Sequence, residues 1–418
     1  MASTIKKYVL IGAGPASVRA AETLRKADPD CTITMIGLEQ EAPYSRMALP
    51  YYLSGIIEDH GTHLRKTAGH FEDLGISHVH AKVEKIEPDN HRVCLDNGQQ
   101  YSYDKLMIAT GSRPANSPFP GADNDGVLNC WTLADARAIL KTMKPGSKVA
   151  LLGAGFVASI IIEAMVKKGV ELTVMMGRTG RMVSRMMDEP AGDMIKSWCE
   201  SKGVTTILPS SIKSIEAGPA LKRDDDSLTP YDLIVVATGV YSNIEFLEGS
   251  GIKTDNGILV DAGLHTNIDD IYAAGDVAQG LDFSTGGQSV HAIQPTAVDH
   301  GRIAAINMMG GDSTYKGSLS MNVLDTAGLV SSSFGSWGGV EGGESACLLD
   351  VDGYKYIRLN FKDDLLVGAV TVGRTENIGV IRGLIQSEVR LGDWKNKLKE
   401  DPSLIMSAYL ARSMDVAR

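Results

Sequence analysis

The sequence predicts an α/β protein with two Rossmann-like dinucleotide-binding domains and a C-terminal α+β domain. Three observations carry that expectation. An apolar strand, a glycine turn and a helix follow one another in "YVLIGAGPAS" and "VRAAETLRKA". "KVALLGAGFVA" and "SIIIEAMVKKG" repeat the plan about 140 residues later. Two further strands end alike, in "YDKLMIATGSRP" and "YDLIVVATGVYSN". Duplication of one nucleotide-binding unit is the simplest source of such pairs.

At 418 residues the chain is too long for one core, and several domains are expected. The formal charge of −10 argues against nucleic acid as a partner, because its binders carry a basic face. That charge suits a cytoplasmic protein. No apolar run approaches the ~20 residues of a membrane span. "MASTIKKYVLIGAG" is expected to enter a strand at once, with no stretch left for a signal peptide. The cysteines, Cys31, Cys94, Cys130, Cys199 and Cys347, are scattered without a CxxC pair. They read as buried thiols, and neither an iron–sulfur cradle nor any other metal site is expected.

The first element is the GxGxxS turn of Gly12, Gly14 and Ser17. Gly12 permits the tight turn. Gly14 lets a pyrophosphate approach the backbone N–H groups at the N-terminus of a helix that opens with Pro15, which has none of its own, and Ala16. The next strand, "CTITMIGLEQ", ends in Glu39, placed for an adenosine ribose. In "TNIDDIYAAGDVA" a buried strand ends at Gly275 and Asp276. The glycine allows close backbone approach, and the carboxylate can accept a hydrogen bond from a polyol hydroxyl. From about residue 316 the texture changes to alternating strands ("YKYIRLNF", "LLVGAVTVG") and then helices ("IGVIRGLIQSEV", "DWKNKLKE"). "SFGSWGGVEGGESA" reads as a glycine-rich hairpin connection.

On "GAGPAS", "MIATGSRP", "LLGAGFVA", "IVVATG", "IYAAGD" and "IQPTAVDHGRIAAINMMG" the sequence resembles the pyridine nucleotide-disulfide oxidoreductase superfamily over essentially its whole length. The resemblance implies an FAD domain from residues 1–118 and 240–315, an NAD(P) domain at 119–239 and an interface domain at 316–418 that often makes homodimers. It implies FAD contacts at the glycine turn, at Ala109, Thr110 and Gly111, and at Asp276 on the ribityl chain. Gln294, Pro295 and Thr296 would open a helix whose positive end faces the flavin's pyrimidine edge. Gly153, Gly155, Phe156, Val157 and Gly239 would take NAD(P).

In disulfide reductases of the superfamily the segment "APYSRMALPYYLS" (42–54) carries reactive cysteine, and here it has none. It resembles instead the "YxR" segment of ferredoxin, rubredoxin and nitrite reductase flavin domains. That resemblance puts Arg46 beside FAD, on a phosphate or as a tuner of the isoalloxazine. Pro50 replaces the serine common there, and the usual lysine just beyond is missing.

The second site departs further from the pattern. Ala158 takes the third glycine's place, and Ile160 stands where many relatives carry glutamate. Gly177 stands about where an NADH-selecting acid is expected. Arg178 and Arg181 follow and favour a 2′-phosphate, whereas the whole-chain resemblance favours NAD. The expectation is NAD, with NADP as the alternative. A thiol-free FAD/NAD(P) protein couples hydride and single-electron carriers, so its other partner is an iron–sulfur protein or cluster-bearing subunit. The whole chain is also similar to the FAD subunit of NAD-dependent 2-oxoacid dehydrogenase complexes of the phenylglyoxylate type. A stand-alone NAD(P)H:ferredoxin or rubredoxin reductase, or an assembly subunit with a decayed nicotinamide site, are the other readings.

Overall fold

The computed structural model describes residues 5–208 and 212–416. The expected entry of the N-terminus into a strand touches residues 1–4, which lie outside the described residues. Two parallel sheets carry the nucleotide-binding plan. Their strands are β1 (Lys7–Ile11), β2 (Thr32–Gly37), β3 (Ile76–His80), β4 (Lys105–Ile108), β5 (Val127–Asn129), β6 (Lys148–Leu152), β7 (Glu171–Met175), β8 (Thr205–Ile207), β9 (Leu233–Val236) and β10 (Ile271–Ala273). An antiparallel sheet comprises β11 (Met321–Thr326), β12 (Leu329–Gly335), β13 (Glu344–Asp350), β14 (Lys355–Lys362) and β15 (Leu365–Val372). Four helices position the sites: α1 (Pro15–Ala27), α2 (Phe156–Lys167), α3 (Glu189–Ser201) and α4 (Gln294–Met308).

The chain forms two compact units. One holds Met1–Tyr52, Ile57–Arg113 and Val240–Ser318, the other Leu53–Ile56, Pro114–Gly239 and Leu319–Arg418. The first contains the sheet β10-β4-β1-β2-β3, and the second contains β8-β7-β6-β9-β5. Every pairing in both is parallel. Parallel strands are covered on both faces, so they read as apolar runs without alternation. In "KYVLI" and "KVALL" only the leading lysine is exposed. Leu10, Ile33, Leu106 and Leu151 are fully buried, and each such side chain contributes roughly 1.5–3 kcal/mol.

The duplication extends to single hydrogen bonds. The Lys7 N–H is held by the Asp104 carboxylate at 2.7 Å and the Lys148 N–H by that of Asp232 at 2.8 Å. Each aspartate follows the tyrosine of a "YD" pair, so that repeated dipeptide locks the strand carrying "ATG" onto the strand that leads into the glycine loop. Helix α1 opens with Pro15, whose missing N–H costs nothing in a first turn. It closes with Arg25 and Lys26 at the negative end of the dipole.

The terminal sheet has the order β11-β12-β15-β14-β13. The segment "SFGSWGGVEGGESA" is therefore not a hairpin connection. It leaves β12, crosses β15 and β14 and delivers the chain to the far edge strand. Asn360 holds it down by donating to the carbonyls of Ser336 (2.9 Å) and Trp337 (2.7 Å). Gly368 lets it pass, since a Cβ there would lie 2.2 Å from the Ser336 oxygen. The segment's own glycines serve both close crossing and turning. A Cβ at Gly335 would lie 2.3 Å from the Val367 oxygen. Gly339 (φ +92°) and Gly342 (φ +63°) instead sit in turns closed by the Gly339 N–H to the Ser336 carbonyl and the Gly343 N–H to the Val340 carbonyl. Helix α2 is apolar nearly all round because it packs both on the parallel sheet and on β11.

Candidate functional site: two glycine loops with different surroundings

The first loop joins β1 to α1. Gly12 has φ +111°, and its N–H donates to the Ile36 carbonyl at 2.7 Å. A Cβ at Gly12 would sit 2.1 Å from the Ala109 oxygen, so contact with the "ATG" turn excludes any side chain. Gly14 has an ordinary φ of −84°. Apart from its chain neighbours and its own helix backbone, no atom of the described residues lies within 4 Å of where its Cβ would be. Glycine at 14 thus keeps clear the space ahead of the unpaired N–H groups that open α1.

Ala16 and Ser17 turn inward and are buried. Helix α4 packs so closely on them that a Cβ at Gly301 would lie 2.1 Å from the Ala16 oxygen. Pro15 and Gln294, at the starts of α1 and α4, therefore line one cleft of ≈ 330 Å³ with Val18, Arg65, Val298 and Arg302. Gln294 accepts a 2.5 Å hydrogen bond from Ser45 Oγ, Pro295 occupies the first turn, and Thr296 is buried.

Asp276 follows β10. Gly275 beside it has φ +75°, and a Cβ there would lie 3.5 Å from the Cβ atoms of Ala16 and Ala297. The Asp276 carboxylate accepts from Ser112 Oγ at 3.2 Å, and its carbonyl accepts from Ser242 Oγ at 3.0 Å. Burial pushes the Asp276 pKa up, against the Ser112 hydrogen bond and the Arg46 charge, which lower it. The Gly275 N–H donates to His300 Nδ1 at 3.3 Å. His300 is buried, which holds its pKa down to about 4 and leaves the ring neutral, and its Nε2 has no hydrogen-bond partner among the described residues. Ala109, Thr110 and Gly111 form the turn after β4. Thr110 and Asn243 clasp each other, each side chain bonding the other's carbonyl at 2.9 Å.

Glu39 and Arg46 come together after β2. Arg46 Nη2 lies 2.6 Å from Glu39 Oε1 and its Nη1 donates to Tyr44 Oη at 3.0 Å. Tyr44 Oη donates to Glu39 Oε2 at 2.6 Å. The acid expected at a ribose and the cation expected at the flavin thus form one charge-assisted triad. The residues fit a dinucleotide: clear space over α1, acids ending β2 and β10, and buried polar atoms of Ser17 and His300 left without partners among the described residues.

The second loop copies the first. Gly153 has φ +121°, its N–H donates to the Met175 carbonyl at 3.0 Å, and its Cβ would meet the Ala237 oxygen at 2.3 Å. Gly155 again faces open space at the start of α2, where Phe156 and Val157 are half-buried. Gly239 has φ +128° and accepts from the Ala115 N–H at 2.8 Å. Register sharpens the comparison beyond β7. Glu39 stands three residues past Ile36, the β2 partner of Ile11, and Arg178 stands three past Met175, the β7 partner of Leu152. Arg178, not Gly177, is therefore the counterpart of Glu39. It is exposed, and Arg181 lies 4.0 Å from Glu189.

All five cysteines are free thiols; Cys31, Cys94, Cys130 and Cys199 are buried, whereas Cys347, on the edge strand β13, is exposed, contrary to expectation. Cys31 sits just before β2. Burial pushes Cys130 and Cys199 up to about 12, which makes them poor nucleophiles. Sequence reading missed Ser112, Asn243, Ser45 and His300. Each lies inside a stretch quoted above, but each acts through a partner distant in sequence, which its local spacing does not announce. No helix among the described residues is long and apolar enough to cross a membrane.

A repeated βα glycine loop, a Gly-Asp strand end and no dithiol define a two-dinucleotide oxidoreductase that works without a redox disulfide. The chain belongs to the pyridine nucleotide-disulphide oxidoreductase family, whose sequence signature spans residues 6–301; the family binds FAD and NAD(P). It is 30% identical over 95% of both chains to the NADH-dependent phenylglyoxylate dehydrogenase subunit epsilon of Aromatoleum evansii. It is 34% identical to the ferredoxin–NAD(+) reductase component of the Burkholderia cepacia anthranilate 1,2-dioxygenase system, covering 74% of this chain and 77% of that one. Its fold matches putidaredoxin reductase, solved as a covalent complex with putidaredoxin, at a TM-score of 0.88 over 98% and 99% of the two chains, with 20% identity. The protein is thus an FAD-dependent NAD(P) oxidoreductase of the electron-transferring branch.

Proposed function

We propose that the chain is the FAD-bearing electron-transfer subunit of a cytoplasmic 2-oxoacid dehydrogenase complex acting on phenylglyoxylate. It passes electrons from a cluster-bearing partner to NAD. The observation that carries this reading is the match to the phenylglyoxylate dehydrogenase epsilon subunit, which runs through 95% of both chains, whereas that to the anthranilate-system reductase covers 74% of this one. Conversion of phenylglyoxylate and CoA to benzoyl-CoA and CO2 is assigned to another subunit.

FAD, when bound, exchanges hydride with a nicotinamide and single electrons with an iron–sulfur carrier. On this reading the opening N–H groups of α1 receive the pyrophosphate in the space Gly14 keeps clear. Glu39 takes the adenosine ribose, with Tyr44 and Arg46 holding its carboxylate in place. Asp276, aligned by Ser112, accepts from a ribityl hydroxyl. The positive end of α4, at Gln294, Pro295 and Thr296, and the Arg46 charge favour negative charge on the pyrimidine edge. Gly153, Gly155, Phe156, Val157 and Gly239 take NAD, with Arg178 and Arg181 beside the adenosine ribose. Residues 316–418, whose part from Leu319 on shares a compact unit with Pro114–Gly239, serve as the interface domain that makes homodimer contacts.

Purification of the native protein from its source cells tests the proposal. Larger iron–sulfur subunits should co-purify, and the assembly should reduce NAD with phenylglyoxylate and CoA. A chain that purifies alone and passes electrons from NADH to ferredoxin or rubredoxin would overturn it. The similarity to the anthranilate system reductase favours that second outcome over a nicotinamide-silent assembly subunit.

A further inference from the structure

Val183 is buried, yet its backbone has φ +47°, a left-handed conformation that a β-branched side chain strongly disfavours. What holds it there is specific. The Val183 N–H donates to the Ala154 carbonyl at 2.8 Å, and Ala154 lies between Gly153 and Gly155. No tie of this kind reaches Ala13, its counterpart in the first loop, among the described residues. The Val183 carbonyl in turn accepts from the N–H groups of Met186 (2.8 Å) and Met187 (3.1 Å), closing a compact turn that ends at Asp188.

Asp188 anchors that turn twice. One carboxylate oxygen caps α3, accepting from the Ala191 N–H at 3.4 Å. The other accepts from Tyr356 Oη at 2.7 Å and Arg358 Nη1 at 3.2 Å, both on β14 of the terminal sheet. Gly192 lets α3 close on the turn, since a Cβ there would lie 2.7 Å from the Met182 oxygen. Tyr356 is buried and the Asp188 side chain is only 10% exposed, so the junction is largely shielded from water.

A trans peptide is planar, with its C=O and N–H pointing in opposite directions. Fixing the Ala154 carbonyl toward Val183 therefore aims the Gly155 N–H away from it, along the open side of the loop. We infer that the turn Met182–Asp188 is a strut from the terminal sheet that orients the Gly155 N–H for the nucleotide pyrophosphate. Val183, Asp188 and Tyr356 are then positioning residues for the nicotinamide nucleotide, although none touches it. The inference rests on reading the second glycine loop as the NAD(P) site. Because the pyrophosphate is common to both nucleotides, the strut acts on NADH and NADPH alike.

The test is the dissociation constant of NADH and of NADPH on FAD-loaded protein, measured by fluorescence titration. Wild type is compared with Gly155→Val, Asp188→Ala and Tyr356→Phe, with FAD content and melting temperature recorded for each. Gly155→Val, which fills the open space, should abolish binding. Asp188→Ala should loosen both nucleotides by the same factor, roughly fivefold to tenfold, with FAD content unchanged. Tyr356→Phe, which keeps the helix cap, should loosen both by a smaller equal factor, and it decides the matter if Asp188→Ala does not fold. Wild-type affinity in both strut variants while Gly155→Val binds nothing would overturn the strut and leave the site assignment standing. Normal binding in Gly155→Val would overturn both together.

Discussion

At the scale of single residues, the carboxylate of Asp276 and the imidazole of His300 are the groups that burial perturbs most tellingly near the first loop. Asp276→Ala removes an acceptor from a buried hydroxyl and should weaken FAD binding by about 1–3 kcal/mol. Flavin released on dilution and gel filtration measures it, and full retention at nanomolar protein would count against the role. His300 and His78 are both held down to about 4 by burial, against an ordinary 6.5. The unfolded chain takes up those protons below pH 6.5 and the folded chain does not. Stability is therefore complete above about pH 6.5 and is lost as pH falls towards 4. In His300→Gln the fall in melting temperature across that window should shrink by up to about half. An unchanged fall would show that His300 is charged in the fold. At this scale the sequence announced Gly12, Gly14 and Asp276 through spacing. It did not announce Ser112 or Val183, because a hydrogen-bond partner 164 residues away and a φ of +47° on valine leave no local signature.

At the scale of elements, α1 and α4 depend on a backbone approach that one methyl group would block. Gly301→Ala places a Cβ 2.1 Å from the Ala16 oxygen. The helices must separate, costing about 1–3 kcal/mol of stability, and the cleft behind Pro15 and Gln294 must widen. Chemical denaturation with and without added FAD measures both effects, and a variant as stable and as tightly flavinylated as wild type would contradict the packing described. The strand ends set nucleotide choice. Neither Gly177 nor Arg178 offers the carboxylate that Glu39 offers after β2, so discrimination between NADH and NADPH should be loose. Arg178→Glu, at the register position of Glu39, should raise preference for NADH by repelling the 2′-phosphate and accepting from the ribose. The ratio of kcat/KM for the two nucleotides reports it. A wild-type preference for NADPH of tenfold or more, about 1.4 kcal/mol, would reverse the choice of NAD. The apolar runs made the parallel strands legible, and the helices Ile378–Gln386 and Trp394–Glu400 lie where their periodicity put them. The crossing loop after β12 was misread because glycines signal both tight turns and close passage, and only the partner strand distinguishes them.

At the scale of the whole molecule, duplication is the organising fact, and it was readable from paired motifs alone. What the motifs did not carry is the difference between the copies. The first loop is surrounded by acids, an arginine triad and a buried histidine, whereas the second is braced through Val183 and Asp188 by the terminal sheet. Such differences lie in contacts between segments far apart in the chain, where a single sequence holds no spacing to read. The central claim is that electrons pass through this chain by way of flavin, with no thiol taking part. Its most direct test is an anaerobic titration with NADH of FAD-loaded protein in which all five cysteines have been replaced. The account predicts that one NADH per chain fully bleaches the flavin, at the wild-type rate and with no long-wavelength band of a thiolate against the ring. A wild-type protein that consumes two NADH per chain, paired with a folded, flavinylated cysteine-free variant that has lost reduction, would contradict it.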